Sequence, residues 1–100
     1  MTITYRIDKD ILYIAVEGRI DASNASQAEE TIINIKNNNQ GKHTVLDADR
    51  LEYISSAGLR VLLAAQKRMQ KIGSMKLKNV CEEVMEVFEM TGFADILTID

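Results

Sequence analysis

A chain of 100 residues has room for one core, which excludes a tandem or repeat architecture and predicts a single domain over residues 1–100. At 46% hydrophobic and 27% charged it has the composition of a globular domain, not of a disordered or fibrous chain. Acidic residues outnumber basic ones 15 to 12 and aromatics make up only 5%. With no positive stripe to neutralise phosphates, nucleic acid is not an expected partner.

The chain opens with alternation. Ile3, Tyr5 and Ile7 share one face of a first strand, and Leu12, Ile14 and Val16 one face of a second. The polar Asp8-Lys9-Asp10 between them reads as a tight turn, giving a β-hairpin that Gly18 ends. From Asp21 to Asn39 the period changes: Ala25, Ala28, Ile32 and Ile35 recur at helical spacing. Asp21 or Ser23 is the expected cap, Ser26 to Glu29 offers a later capping box, and the run Asn37 to Gly41 is the stop. His43–Asp47 is short, β-branched and apolar at its centre, as a buried strand requires. A second helix is predicted over Ser56–Ile72, ending at Gly73, and Met75–Lys78 is another brief strand. Cys81–Met90 forms a third helix with Val84, Val87 and Phe88 inward, Gly92 and Phe93 supplying a left-handed end and its hydrophobic contact. Ile96–Ile99 closes the chain as a strand. The order β-β-α-β-α-β-α-β, with the later strands reached through helices, predicts an α/β fold: a mixed, mostly parallel sheet with an N-terminal hairpin and helices packed against it.

No apolar run approaches the roughly 18 residues that span a bilayer, and the N-terminal MTITYRIDKD has no signal-peptide pattern, so no direct membrane insertion and a cytoplasmic location are expected. One cysteine, Cys81, and one histidine, His43, supply neither an internal disulfide nor the usual zinc ligands. Neither a Walker nor a dinucleotide pattern is present, and no cofactor is expected.

The informative stretch is Leu46 to Leu63, LDADRLEYISSAGLRVLL, which leads from a buried strand through a polar turn into a helix. Ser55 or Ser56 stands as its N-cap, where unsatisfied backbone N–H groups and the positive end of the helix dipole meet. A phosphate there is electrostatically favoured. On a helical wheel Val61, Leu62, Ala65, Met69 and Ile72 form the core sector. Ser56, Leu59, Arg60, Leu63 and Lys67 fall together on the other side, and leucines among cations beside a serine read as a protein-docking stripe. Simpler readings stand beside these. Either serine can act as a cap alone. Asp47 and Asp49 read as a solvated turn, and Ser74 and Asn79 as turn residues. His43 begins the central strand, at the end away from Ser56, so a Ser-His pair and hence an enzyme is not expected.

Taken together, the hairpin, Glu17-Gly18-Arg19-Ile20-Asp21-Ala22, Tyr53-Ile54-Ser55-Ser56-Ala57-Gly58-Leu59 and Met90-Thr91-Gly92-Phe93 resemble, over the whole chain, a stand-alone STAS domain of the anti-sigma factor antagonist family. The resemblance implies that Ser56 is phosphorylated by a partner that is both an anti-sigma factor and a Ser protein kinase, with a Ser/Thr phosphatase reversing it. It also implies that Asp21 is the acidic residue near that site and that Gly58-Leu59 is the family's Gly-Leu pair. The family commonly carries Asp just before the phosphoacceptor where this chain has Ser55, which leaves Ser55 as second candidate. The implied function is a phosphorylation-gated binding module that holds the anti-sigma factor when Ser56 is unmodified and releases it when phosphorylated. The alternative is a constitutive STAS subunit of a lipid-transport ABC or stress-signalling assembly, in which the serine only caps the helix.

Overall fold

In the computed structural model, which describes residues 1–39, 43–71 and 73–100, the opening alternation forms the predicted antiparallel hairpin of β1 (Thr2–Asp8) and β2 (Ile11–Ile20). Asp8 faces Ile11 across a two-residue turn in which Lys9 takes φ 57°, the positive φ that two-residue hairpin turns need at their first central position. Ile3, Tyr5 and Ile7 lie opposite Val16, Ile14 and Leu12, on the face the helices cover. Gly18 does not end β2, contrary to the sequence reading. At φ 95° it makes a register shift within the strand, its N–H donating to Arg50 O at 2.9 Å, and the strand continues to Ile20. A glycine accommodates this positive φ without Cβ strain, and the irregularity bends the strand.

That bend divides the partners of β2. Residues Ile11 to Ala15 pair in parallel with β3 (His43–Asp47), and Gly18 to Ile20 pair in parallel with β4 (Leu51–Ile54). β3 and β4 run one after the other beside β2, with Ala48–Arg50 turned between them. β4 was read in the sequence as part of a polar turn. β5 (Met75–Lys78) adds in parallel to β3, giving the order β1-β2-β3-β5 with β4 beside β2. The expected last strand is reduced to one bridge: Phe93–Asp95 form a 3-10 turn, and only Ile99 pairs with Leu77. Two hydrogen bonds of 2.8 Å, Leu77 N–H to Thr98 O and Asp100 N–H to Leu77 O, fix it.

Helices α1 (Ala25–Asn37) and α2 (Ser56–Gln70) pack on each other, and α3 (Glu82–Thr91) packs on β4. The core joins Leu12, Ile14, Val16 and Ile20 of the sheet to Ala28, Ile32, Leu62, Ala65 and Met69 of the helices, with Val84 and Phe88 from α3. The opposite sheet face is more open: Tyr13, Ala15 and Glu17 are half-buried and Lys76 and Lys78 exposed. The N-cap of α1 is Asn24, not Asp21, Ser23 or Ser26, and its side chain makes no cap bond. Gly92 ends α3 at φ 78°, with Phe93 against the core, as predicted. The expected positions of Gln40, Gly41 and Ile72 lie outside the described residues. No helix among the described residues is long and apolar enough to cross a membrane.

The first turn of α2 departs most from its wheel. Leu59, expected on the solvent side, is 1% exposed. The buried arc of α2 includes Gly58, Leu59, Val61, Leu62, Ala65, Gln66 and Met69, because α1 covers one flank and the sheet another. A Cβ on Gly58 would lie 2.7 Å from Ile54 Cγ1 and 2.8 Å from Ile20 Cγ2. The helix reaches the strands only because this residue has no side chain. In an open helix Gly→Ala stabilises by about 1 kcal/mol. Here Gly58→Ala is expected to destabilise instead, by about 1–3 kcal/mol in urea denaturation, through overpacking. A stability gain would show that α2 is not seated this closely.

Candidate functional site

The parallel ends of β2 and β4 bring the predicted residues together. Ile20 faces Ile54, and the next residue's N–H, on Ser55, donates to Ile20 O at 2.9 Å. The chain therefore leaves both strands at one place, from β2 into the turn Asp21–Asn24 and from β4 into α2. Ser55 is extended (φ −90°, ψ 176°), and its Oγ accepts from the Gly58 N–H at 3.2 Å, the bond of an N-cap. Ser56 is the first helical residue. It is exposed, and its hydroxyl makes no hydrogen bond among the described residues. The two serines, interchangeable in sequence, thus divide the work: one closes the helix and the other faces solvent.

The turn opposite is held by its own side chains. Asn24 Oδ1 accepts from the Asp21 N–H and Asn24 Nδ2 donates to Arg19 O, both at 2.9 Å. Asp21 Oδ1 accepts from the Ser23 hydroxyl and, at 2.9 Å, from the Ser23 N–H. The Ser23 hydroxyl first, then the Ser23 N–H, with the Arg19 charge and the Asn24 N–H assisting, hold the Asp21 carboxyl below its ordinary 3.8 against a smaller opposing effect of burial. Asp21 is therefore ionised at neutral pH. The first turn of α2 carries no acidic residue and its last turn carries Lys67 and Arg68, so the helix end has its positive field to itself apart from Asp21. Beside it the Arg19 guanidinium lies over the Tyr53 ring at 4.2 Å, a register pair of β2 and β4.

Of the expected docking stripe, Ser56, Arg60 and Lys67 are exposed, Leu63 is half-buried against the core and Leu59 is buried; Gly58 of the implied Gly-Leu pair is buried too. Leu59 and Gly58 thus set the position of the helix from inside and present no surface to a partner. Asn24, Arg19 and Tyr53 were not singled out from the sequence. Their proximity follows from the pairing of β4 with the end of β2, which no local pattern announces. His43 lies elsewhere, as expected: its Nδ1 is 2.9 Å from Ser74 Oγ, and its N–H donates to Asp10 O at the hairpin turn. Asp47 Oδ1 accepts from the Asp49 N–H and from Asn79 Nδ2, both at 3.0 Å, and so serves a turn.

This arrangement, a short mixed sheet with a serine-headed helix beside the β2–α1 turn, defines a class. The STAS domain family model matches residues 2–100, and the chain belongs to that family. The Bordetella bronchiseptica protein BtrV is 36% identical over 90 residues, covering 89% of this chain and 77% of its own. The anti-sigma-B factor antagonist of Bacillus subtilis is 29% identical over 89 residues, covering 88% and 80% respectively. Among solved structures, an anti-sigma factor antagonist from Mycobacterium paratuberculosis superposes with a TM-score of 0.86 at 19% identity, covering 98% of this chain and 83% of that one. The antagonist SpoIIAA in its unphosphorylated form gives 0.77 at 17%, covering 99% and 88%.

The separation of the serines is testable by stability. Ser55→Ala, which removes the cap, is expected to cost about 1 kcal/mol. Ser56→Ala is expected to stay within about 0.5 kcal/mol. Reversal of that order in urea melts would reassign the cap. The Asp21 carboxyl, followed by NMR, is expected to titrate below 3.8 and to move upward in Ser23→Ala. A depressed folded value contributes stability above the unfolded pKa, and that contribution is lost as the pH falls through the folded one. Wild type is thus expected to gain on Ser23→Ala above about pH 4 and to lose that margin in stronger acid.

Proposed function

We propose that the protein is a cytoplasmic phosphorylation-gated binding module. Unmodified, it binds an anti-sigma factor that is also a Ser protein kinase, and phosphate on Ser56 ends that binding. The observation that carries this is the exposed, unbonded Ser56 hydroxyl at the α2 N-terminus, with the capping role already filled by Ser55. Modification can therefore occur without opening the helix. The names of the relatives support the partner, and a fold neighbour, the Bacillus cell fate determinant SpoIIAA, has been solved in a phosphorylated form.

In the transfer, Ser56 Oγ attacks the γ-phosphorus of ATP as the bond to the β-phosphate oxygen breaks. ADP leaves, and the hydroxyl proton passes to a base on the kinase. The product adds about −1.5 to −2 charge at the α2 mouth, one turn from the exposed Arg60 and beside the Asp21 turn. The α2 amides and dipole tolerate that charge. A partner docked on the same surface must desolvate it next to an ionised carboxylate, and each 1.4 kcal/mol of that cost weakens binding about tenfold. A Ser/Thr phosphatase hydrolyses the ester and restores the surface. No change of fold is required.

The test is phosphate incorporation from ATP with the cognate kinase into wild type, Ser55→Ala and Ser56→Ala. Label is expected in the first two and not in the third. Label kept in Ser56→Ala but lost in Ser55→Ala would move the site to Ser55, and no label in any of the three would favour a constitutive subunit. Ser56→Ala is expected to bind the partner whether or not ATP is present, and Ser56→Asp to weaken it only in part, since a carboxylate carries less charge than a phosphate. Arg60→Glu, at an exposed position, is expected to weaken binding about tenfold while leaving the urea midpoint unchanged.

A further inference from the structure

The two edges of the sheet are treated differently. At β5, the outer side of Leu77 is occupied by the chain's own Thr98–Asp100. At the other end of the strand order, β1 pairs with β2 on one side, and none of the described strands pairs with its other side. Natural sheets blunt such an edge with prolines, bulges or inward-facing charges. Seven residues long, β1 carries none of these along its apolar row, which is Ile3, Tyr5 and Ile7. Tyr5 is 54% and Ile7 44% exposed, two of the large apolar residues left on the surface.

The hairpin register says which main-chain groups are open. A two-residue turn closes on a hydrogen-bonded pair, here Asp8 with Ile11. Alternation then directs the N–H and C=O of Arg6, Thr4 and Thr2 toward β2 and those of Ile7, Tyr5 and Ile3 outward. The apolar residues and the unpaired backbone groups are therefore the same three. Such an edge is complementary to itself. The geometry points to a second copy of this chain as its occupant, β1 pairing antiparallel with β1 about a two-fold axis at Tyr5 to join two sheets into one.

The register follows from charge and parity. With Tyr5 on the axis, Ile3 of one copy faces Ile7 of the other, Thr4 faces Arg6, and Thr2 faces Asp8. About six main-chain hydrogen bonds form, two at each of three pairs, and no like charges stand opposite. Moving the axis to Arg6 would oppose two guanidiniums, and moving it to Thr4 would set Ile7 against Met1, which lies outside β1. A slip that changes parity would set the apolar row against Thr and Arg. The Arg6 guanidinium already lies over the Tyr13 ring, 4.0 Å from its centroid. The buried area is small for a stable complex, so the dimer is weak and concentration-dependent. β1 pairs along residues 11–17 of β2 and β4 along residues 18–20, which sets this edge apart from the Ser56 region.

The test is sedimentation of the full chain from about 10 µM to about 1 mM, with amide exchange measured at both ends of that range. A shift from monomer to dimer is expected, accompanied by new protection at the Ile3, Tyr5 and Ile7 amides and unchanged protection at Thr4 and Arg6. Tyr5→Pro removes an outward donor and no bond to β2, as an edge proline can, and is expected to weaken the dimer at least about tenfold. Ile7→Lys, which charges the apolar row, is expected to do the same with an unchanged circular dichroism spectrum, and it carries the test if the proline variant does not fold. A chain that stays monomeric at every concentration overturns the proposal. So does a dimer that protects other amides, or one that survives Ile7→Lys.

Discussion

Gly58 sits where a Cβ would come within 2.8 Å of both Ile54 and Ile20, so α2 can meet the strand ends only through a residue with no side chain. What surrounds the helix mouth follows from that seating. Ser55 is brought close enough to Ile20 for a 2.9 Å main-chain bond, its hydroxyl turns back onto the Gly58 N–H, and Leu59 is carried into the core. Ser56, one residue along from the cap, is rotated out to solvent. A helix held a methyl group farther away would leave both serines as loosely placed surface hydroxyls, and Asp21 would no longer stand beside a fixed dipole end.

The electrostatics are correspondingly spare. Asp21 is committed to its own turn by Ser23 and Asn24, which fixes the carboxylate in place and keeps it ionised. The α2 N-terminus supplies the positive end of the helix dipole, and α2 has basic residues only at its far end and at Arg60. A site of this kind has a fixed charge pattern, and under the proposed function one added phosphate reverses it without any moving part.

Much of this was legible in the sequence where local pattern and burial agree. Period-two alternation found β1 and β2, the β-branched run found β3 with its bounds unchanged, and helical spacing found α1, α2 and α3. β4 was not legible because Leu51-Glu52-Tyr53-Ile54 is buried only at its two ends, a pattern with neither period. Its partner, moreover, is the part of β2 beyond a glycine that reads as a stop. Leu59 was misplaced because a wheel with a single apolar face suits a helix lying on one surface, whereas α2 is enclosed on two. The stripe of α1 likewise ends in a buried Lys36, which its residue type, though not its spacing, assigns to solvent. Nor could sequence separate Ser55 from Ser56, since either residue type and position can cap. The choice was made by tertiary contact between α2 and the ends of β2 and β4.

The division of β2 at Gly18 also shapes how the domain folds. Residues Ile11 to Ala15 can pair with β1 by a local turn, but the pairing of Ile20 with Ile54 closes a loop that contains all of α1, and high contact order of this kind slows folding. The helix mouth is built from this long-range pairing. A nascent, nicked or partly unfolded chain therefore presents Asp21 and Ser56 on separate segments, and only the completed fold offers them as one surface. Completion of the fold and assembly of this surface are in this way the same event.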